Sequence, residues 1–276
     1  MNTEEIMDLA CSLAGVDEVP KDSDIYVPGE NIKKVLFGID IGTAELKIAK
    51  DLGYDLVIAH HPVANPGYHS VFLKHIPMMV KHGIPEEEAK EAVAERMQDL
   101  SLNNSVANHD HVVSIAELLD IPFMNIHQPS DELGRQILQE RVDNFLENNP
   151  EATVGELIDD MSEIPEFKYA LTDIKLRMGD LDNKAGKVIV SHGALSNGGY
   201  QVATKYFQHG FDTVIYIRIA PNDLRRLQAD NLGNFIDAGH IAFDELGVSP
   251  LIDALRERGL VVDAISGLRY RRNHGK

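Results

Sequence analysis

Two continuous apolar runs, Lys33 to Asp40 (KKVLFGID) and Asp55 to His61 (DLVIAHH), flank a segment of helical spacing, Ala44 to Gly53, and this strand–helix–strand order constrains the fold most. Strands apolar on both faces belong to parallel sheets, and a right-handed crossover places the intervening helix on one face. Both strands then end on the same edge of a sheet. Asp40, His60 and His61 fall at those carboxyl ends, where open α/β sheets place their sites.

The same rhythm recurs downstream. Pro85 to Asp99 opens with proline and glutamates and reads as a helix. Leu102 to Ala107 then leads to Asn108-His109-Asp110-His111, with helical periodicity resuming over Val112 to Leu119, so Asp110 is expected in a strand-to-helix turn. Asp131 to Leu146 and Thr153 to Met161 form two helices, the second with Thr153 and Glu156 at capping-box spacing. From Lys187 a strand (KVIVS), a Gly-rich turn from His192 to Gly199, a helix Tyr200 to Gly210 and a strand Thr213 to Ile219 imply further α/β structure. A helix from Pro221 to Ala229 precedes the strand NFID, which leads into Gly239-His240. Helices Ile241 to Leu246 and Pro250 to Arg258 and a last strand, Leu260 to Ile265, follow. The fold class is α/β. Residues 1–125 with 186–276 are expected to build the α/β part from two β-α-β halves, and 126–185 a mainly helical insertion or second-domain portion.

Composition narrows the function classes. Lys plus Arg number 26 against 44 Asp plus Glu, a formal charge of -18, which repels a phosphate backbone; nucleic acid is not the expected partner. The locally basic tail Arg269, Arg271, Arg272, Lys276 reads as a solvated end. Acidic residues interrupt the N-terminal segment and charged residues break every apolar run, so neither a targeting signal nor a membrane span of ~20 residues is expected. The expected location is cytoplasmic. One cysteine, Cys11, excludes an intrachain disulfide and a cysteine-rich zinc site. A metal would be held by histidine and carboxylate.

His60 and His61 precede Pro62 at a strand end, and pleat alternation would splay the two rings so that each serves a different ion of a pair. The dipeptide equally fits two hydrogen-bonded strand-end histidines. His240 and Asp244 stand i, i+4 on one helical face, which is ligand spacing but also fits an acidic first turn. Glu245, a third of a turn round, is a candidate outer-shell residue or general base. Asp110, flanked by His109 and His111, could bridge two cations. Five ligands for two ions leave open positions, as in hydrolytic sites. The turn SHGALSNGG could receive an anion but matches no nucleotide fingerprint. His69, His75, His82, His127 and His209 show no carboxylate at useful spacing and read as surface or packing residues.

In order and content, VLFGID, DLVIAHHPV, NHD before SIAELLDIP, KVIVSHGALSNGG, FDTVIYIR and DAGHIAFDELGV resemble the Nif-three-like family, relatives of Ngg-one-interacting factor three also labelled GTP cyclohydrolase I type 2. The resemblance spans most of the chain. It implies two intertwined α/β domains with mixed sheets and a dinuclear metal centre at their junction. It further implies a hexameric toroid of dimers, and ligands His60, His61, Asp110, His240 and Asp244. The family's usual glutamate stands here as Asp244, and its His-Thr-Asn-x-Asp turn is matched to Val106 to Asp110 without the leading histidine. The expected cofactors are two divalent ions, Zn, Mn, Fe, Co or Ni. The expected function is metal-dependent hydrolysis of a phosphate-containing or heterocyclic small molecule; the alternative is a non-catalytic metal-binding scaffold that docks a partner protein.

Overall fold

The computed structural model describes residues 1–192 and 198–274, which form two compact units. The first unit is built from Met1–Val71, Asn103–Gly134 and Asp244–Lys276, the second from Phe72–Leu102 and Arg135–Phe243. In chain order the first unit supplies α1 (Thr3–Ala14), β1 (Asp24–Val27), β2 (Lys34–Gly38), α2 (Thr43–Asp51) and β3 (Leu56–Ala59). The second unit contributes α3 (His75–Lys81) and most of α4 (Glu86–Ser105). After α5 (Val113–Leu119) and β4 (Phe123–Asn125) comes α6 (Gln128–Asn148), within which the unit boundary falls. The second unit then holds α7 (Val154–Ser162), α8 (Pro165–Lys168), β5 (Lys175–Met178), β6 (Val188–Val190), α9 (Gly199–Gln208), β7 (Thr213–Tyr216), α10 (Pro221–Asp230) and β8 (Asn234–Asp237). Helix α11 (His240–Glu257) contains the last boundary, and β9 (Val261–Ile265) and α12 (Arg269–His274) belong to the first unit.

The first unit's sheet has the order β1-β4-β3-β2-β9. Strands β4, β3, β2 and β9 run parallel, with Val35 beside Leu56 and Val262, and antiparallel β1 makes the sheet mixed. Leu36, Val57 and Phe123 pack against Leu46 and Ala49 of α2 and Ala116 of α5, all buried. Each of the leucine, valine and phenylalanine side chains contributes roughly 1.5–3 kcal/mol by leaving water. The second unit's sheet, β5-β8-β7-β6, is parallel except for β5. Its core joins Ile189, Val214, Tyr216 and Phe235 to Tyr206 of α9 and Val93 of α4.

The β-α-β reading of residues 33–61 and the Thr153/Glu156 capping box are both present. Two local expectations are corrected. Residues 102–105 continue α4 rather than forming a strand, so Asp110 lies between two helices. Nothing β-branched favours extension in that polar SLNNS run, and the helix above it propagates. The two helices expected around Pro250 are one, α11, with the proline inside it. The short strands β1, β4 and β5 carry too little apolar periodicity to be read in advance. Most of the Gly-rich turn, 193–197, and the tail residue Lys276 lie outside the described residues.

Candidate metal centre

Parallel strands β2, β3 and β4 end on one edge of the first sheet, and Asp40, His60, His61 and His127 follow directly from those ends. Antiparallel β1 begins at the same edge, since Asp24 pairs with Asn125, and this places Asp22 there. The first turn of α6 adds Asp131, four residues after His127, and α11 adds Asp244.

These groups alternate in a line within the first unit. Asp22 Oδ2 is 2.7 Å from His127 Nδ1, and His127 Nε2 is 3.4 Å from Asp131 Oδ2. Asp131 Oδ1 is 3.2 Å from His60 Nε2, which is 3.8 Å from Asp244 Oδ1. Asp244 Oδ2 is 3.3 Å from His61 Nε2, and His61 Nδ1 is 2.7 Å from Asp40 Oδ1. Each inner carboxylate therefore spans two imidazoles. Every Nδ1 has an acceptor outside the line's centre: Asp22, Asp40 and, for His60, the Ile126 carbonyl at 3.1 Å. An Nδ1–H donated outward fixes the tautomer that turns Nε2 inward as a ligand.

The electrostatics call for positive charge at the centre. Burial works against a charged His61, yet its bonds to Asp244 and Asp40 outweigh it and push the imidazole up to about 10. Burial likewise opposes a charged His127, and Asp131 with Asp22 raises it. His60 is fully buried, donates Nδ1–H to a carbonyl that can only accept, and leaves Nε2 without a hydrogen bond beside two carboxylates. A lone pair facing carboxylate oxygens is unfavourable, and a positive charge between them, a proton or a metal ion, relieves it. Three imidazoles and two carboxylates, without thiolate, are a donor set for a divalent transition metal. The buried triad His60, Asp131, Asp244 and the triad His60, His61, His127, of which His61 is half-buried, could each hold an ion.

The sequence-predicted residues fare unequally. His60, His61 and Asp244 lie together, and the two histidines are not splayed: their ring centroids are 5.2 Å apart and both reach Asp244. Consecutive amides of His60 and His61 donate to Gly38 and Ile39 of the same neighbouring segment, so the alternation of a regular strand has ended at Ala59. His240 opens α11 one turn before Asp244. Glu245 faces elsewhere, accepting the Arg271 amide at 2.9 Å with its Oε1. Asp110 is exposed in an Asx turn on Asn108 and joins no ligand group among the described residues. Asp131, not singled out in the sequence, lies 3.2 Å from His60 Nε2, and His127, read as a packing residue, lies 3.4 Å from its other oxygen. The signal in the sequence is FMNIHQPSD, a short apolar strand followed by a histidine and an aspartate at i, i+4.

An α/β chain of two mixed sheets with imidazoles and carboxylates gathered at a parallel-strand edge is a candidate metal-binding protein. Residues 25–266 match the family model Duf34/NIF3 (NGG1p interacting factor 3), and the chain belongs to that family. It is similar to the NIF3 superfamily protein from Sphaerobacter thermophilus, at 43% identity over 97% of this chain and 99% of that one, with a TM-score of 0.92. Reduced HcgD from Methanocaldococcus jannaschii shares the fold at 16% identity and TM-score 0.61, covering 96% of this chain and 97% of that one. TTHA1606 from Thermus thermophilus does so at 16% identity and TM-score 0.54, covering 96% and 98%. No curated protein matches the sequence.

Proposed function

We propose that the chain binds a pair of divalent metal ions and uses them to hydrolyse a phosphate-containing or heterocyclic small molecule. The observation that carries the reading is the inward convergence of three Nε2 atoms, each fixed by an outward Nδ1 partner, on two nearly inaccessible carboxylates. Asp131 and Asp244 each offer two oxygens to different imidazoles, so both carboxylates would help to hold the ions. The reading assigns His60, His61, Asp131 and Asp244 as ligands with His240, the imidazole one turn before Asp244, and gives His127 a place beside them. A bound divalent ion supplies Lewis acidity toward a substrate oxygen. The protein's own contribution is orientation: Asp22, Asp40 and the Ile126 carbonyl hold the rings. His61, with 23% of its side chain exposed, marks the side open to substrate, whereas His60 is closed off.

Metal analysis after incubation with excess Zn, Mn or Fe is expected to find two equivalents per chain; less than one overturns the reading. A panel of phosphoesters and nucleotides is expected to show metal-dependent turnover that His61→Ala abolishes with the fold intact. Metal binding without turnover on any member overturns the hydrolytic half and leaves a metal-binding scaffold. The homo-hexamer implied by family resemblance is part of the same reading, and light scattering of the purified protein checks it.

A further inference from the structure

Behind the metal-type group, on the side away from the inward nitrogens, lies a buried amide that none of the chemistry above uses. Asn125, the last residue of β4, is completely inaccessible to solvent. Its Nδ2 donates to the Asp22 carbonyl at 2.6 Å and lies 3.5 Å from the His60 carbonyl. Its Oδ1 accepts the Tyr26 hydroxyl at 2.6 Å, and that hydroxyl oxygen in turn accepts the Ala64 amide at 3.3 Å. One planar amide thus touches three separate segments: the loop that carries Asp22, the strand end that carries His60, and, through Tyr26, the chain just beyond His61 and Pro62.

The first two segments are also joined indirectly, the His127 amide donating to Ser23 Oγ at 3.0 Å and the Ile126 amide to the Ala59 carbonyl at 3.0 Å, whereas the Asn125 side chain touches both directly. Asp22 and Ser23 precede β1, and the described strand pairing begins only at Asp24. Residues 60–64 have left the regular ladder. An amide offers donors and an acceptor in a rigid plane, so it can set carbonyls and a hydroxyl in register where no strand pairing does. A leucine of similar volume would fill the space but leave two backbone carbonyls unsatisfied, at a cost of desolvation. We propose that Asn125, supported by Tyr26, is a positioning residue for the metal group: it fixes the backbone of Asp22 relative to that of His60 and so sets the direction of the His127 and His60 nitrogens. The inference rests on the metal-binding reading above.

The strand pairing of β4 itself needs only the Asn125 backbone, which lies in register with Ala59 and Asp24. Removing the side chain therefore loosens the segments without unpairing the sheet. The test measures zinc affinity by competition with a chromogenic chelator, alongside apo-protein melting temperature, for the wild type, Asn125→Ala, Tyr26→Phe and the double variant. Asn125→Ala is expected to weaken zinc about 10- to 100-fold, the range for partners that orient ligands. Tyr26→Phe is expected to weaken zinc by a smaller factor, and the double variant no further than Asn125→Ala. A purely structural amide would lower the apo melting temperature and leave zinc affinity within twofold; that result overturns the proposal. If Asn125→Ala does not fold, Tyr26→Phe decides, because unchanged zinc affinity in that variant overturns the proposal too. A wild type that does not take up zinc instead overturns the metal-binding reading, which the two kinds of failure keep separate.

Discussion

At the scale of single residues, the two aspartates that compete for one role give the sharpest contrast. Asp131 is 1% exposed and 3.2 Å from His60 Nε2, whereas Asp110 is exposed in a turn of its own. Asp131→Asn is expected to weaken divalent metal binding at least tenfold and Asp110→Asn to leave it unchanged, as read by chelator competition. His61 supplies a pH dependence whose sign can be worked out. Its imidazole is held up at about 10 in the fold and near 6.5 in an unfolded chain. The charged form therefore favours folding, a contribution complete below pH ~6.5 and lost as pH climbs through about 10. The metal-free protein should melt at progressively lower temperature across that window, by calorimetry. Metal must displace the same proton, so affinity should rise over the same window, the opposite trend. His60, His61 and Asp244 were legible because an apolar strand and a helical i+4 spacing advertise them. His127 and Asp131 were passed over because β4 is only three residues long, and a strand that short leaves no period to read.

Helix α11 owes its close approach to an absence of side chain. A Cβ built on Gly247 would lie 2.1 Å from the Ser130 carbonyl oxygen, a backbone atom at the start of α6 that cannot swing aside. Asp131 follows that carbonyl, and Asp244 precedes Gly247 by three residues on α11. The glycine thus brings two inner carboxylates of the line within reach of one His60. Gly247→Ala is expected to destabilise the fold by about 1–3 kcal/mol in denaturant unfolding, as overpacking does, and to weaken metal binding with it. A second element rests on a side chain that stands in for a strand. Gln139 of α6 accepts the Val190 amide at 2.8 Å through Oε1, and its Nε2 lies 3.5 Å from the Val188 carbonyl, along the outer edge of β6. Gln139→Ala should cost about 1 kcal/mol in the same assay. Neither feature could be foreseen from periodicity, since both depend on which distant segment arrives opposite. The continuity of α11 through Pro250 was hidden for the contrary reason: proline reads locally as a break, and only the surrounding packing overrides it.

For the whole molecule, the α/β class and the parallel edge were legible because buried parallel strands leave continuous apolar runs. The division into units was not, since three boundaries fall inside the helices α4, α6 and α11, where sequence shows no linker. No helix among the described residues is long and apolar enough to cross a membrane. Stripping metal with a chelator is expected to lower the melting temperature and adding zinc back to restore it, because a ligand that binds only the folded state stabilises by mass action. Strand β2 lies between β3 and β9, and its continuation is tied to the far end of the chain by Asp40, whose amide lies 3.3 Å from Ser266 Oγ, 226 positions away. During synthesis β3 emerges soon after β2, while β9 leaves the ribosome only some two hundred residues later. Until then β2 is an open edge of the sheet, and Asp244 has not yet been made. Metal binding as proposed can therefore begin only after translation has passed α11, and a chain halted before β9 exposes an apolar strand edge to whatever chaperone or neighbour it meets.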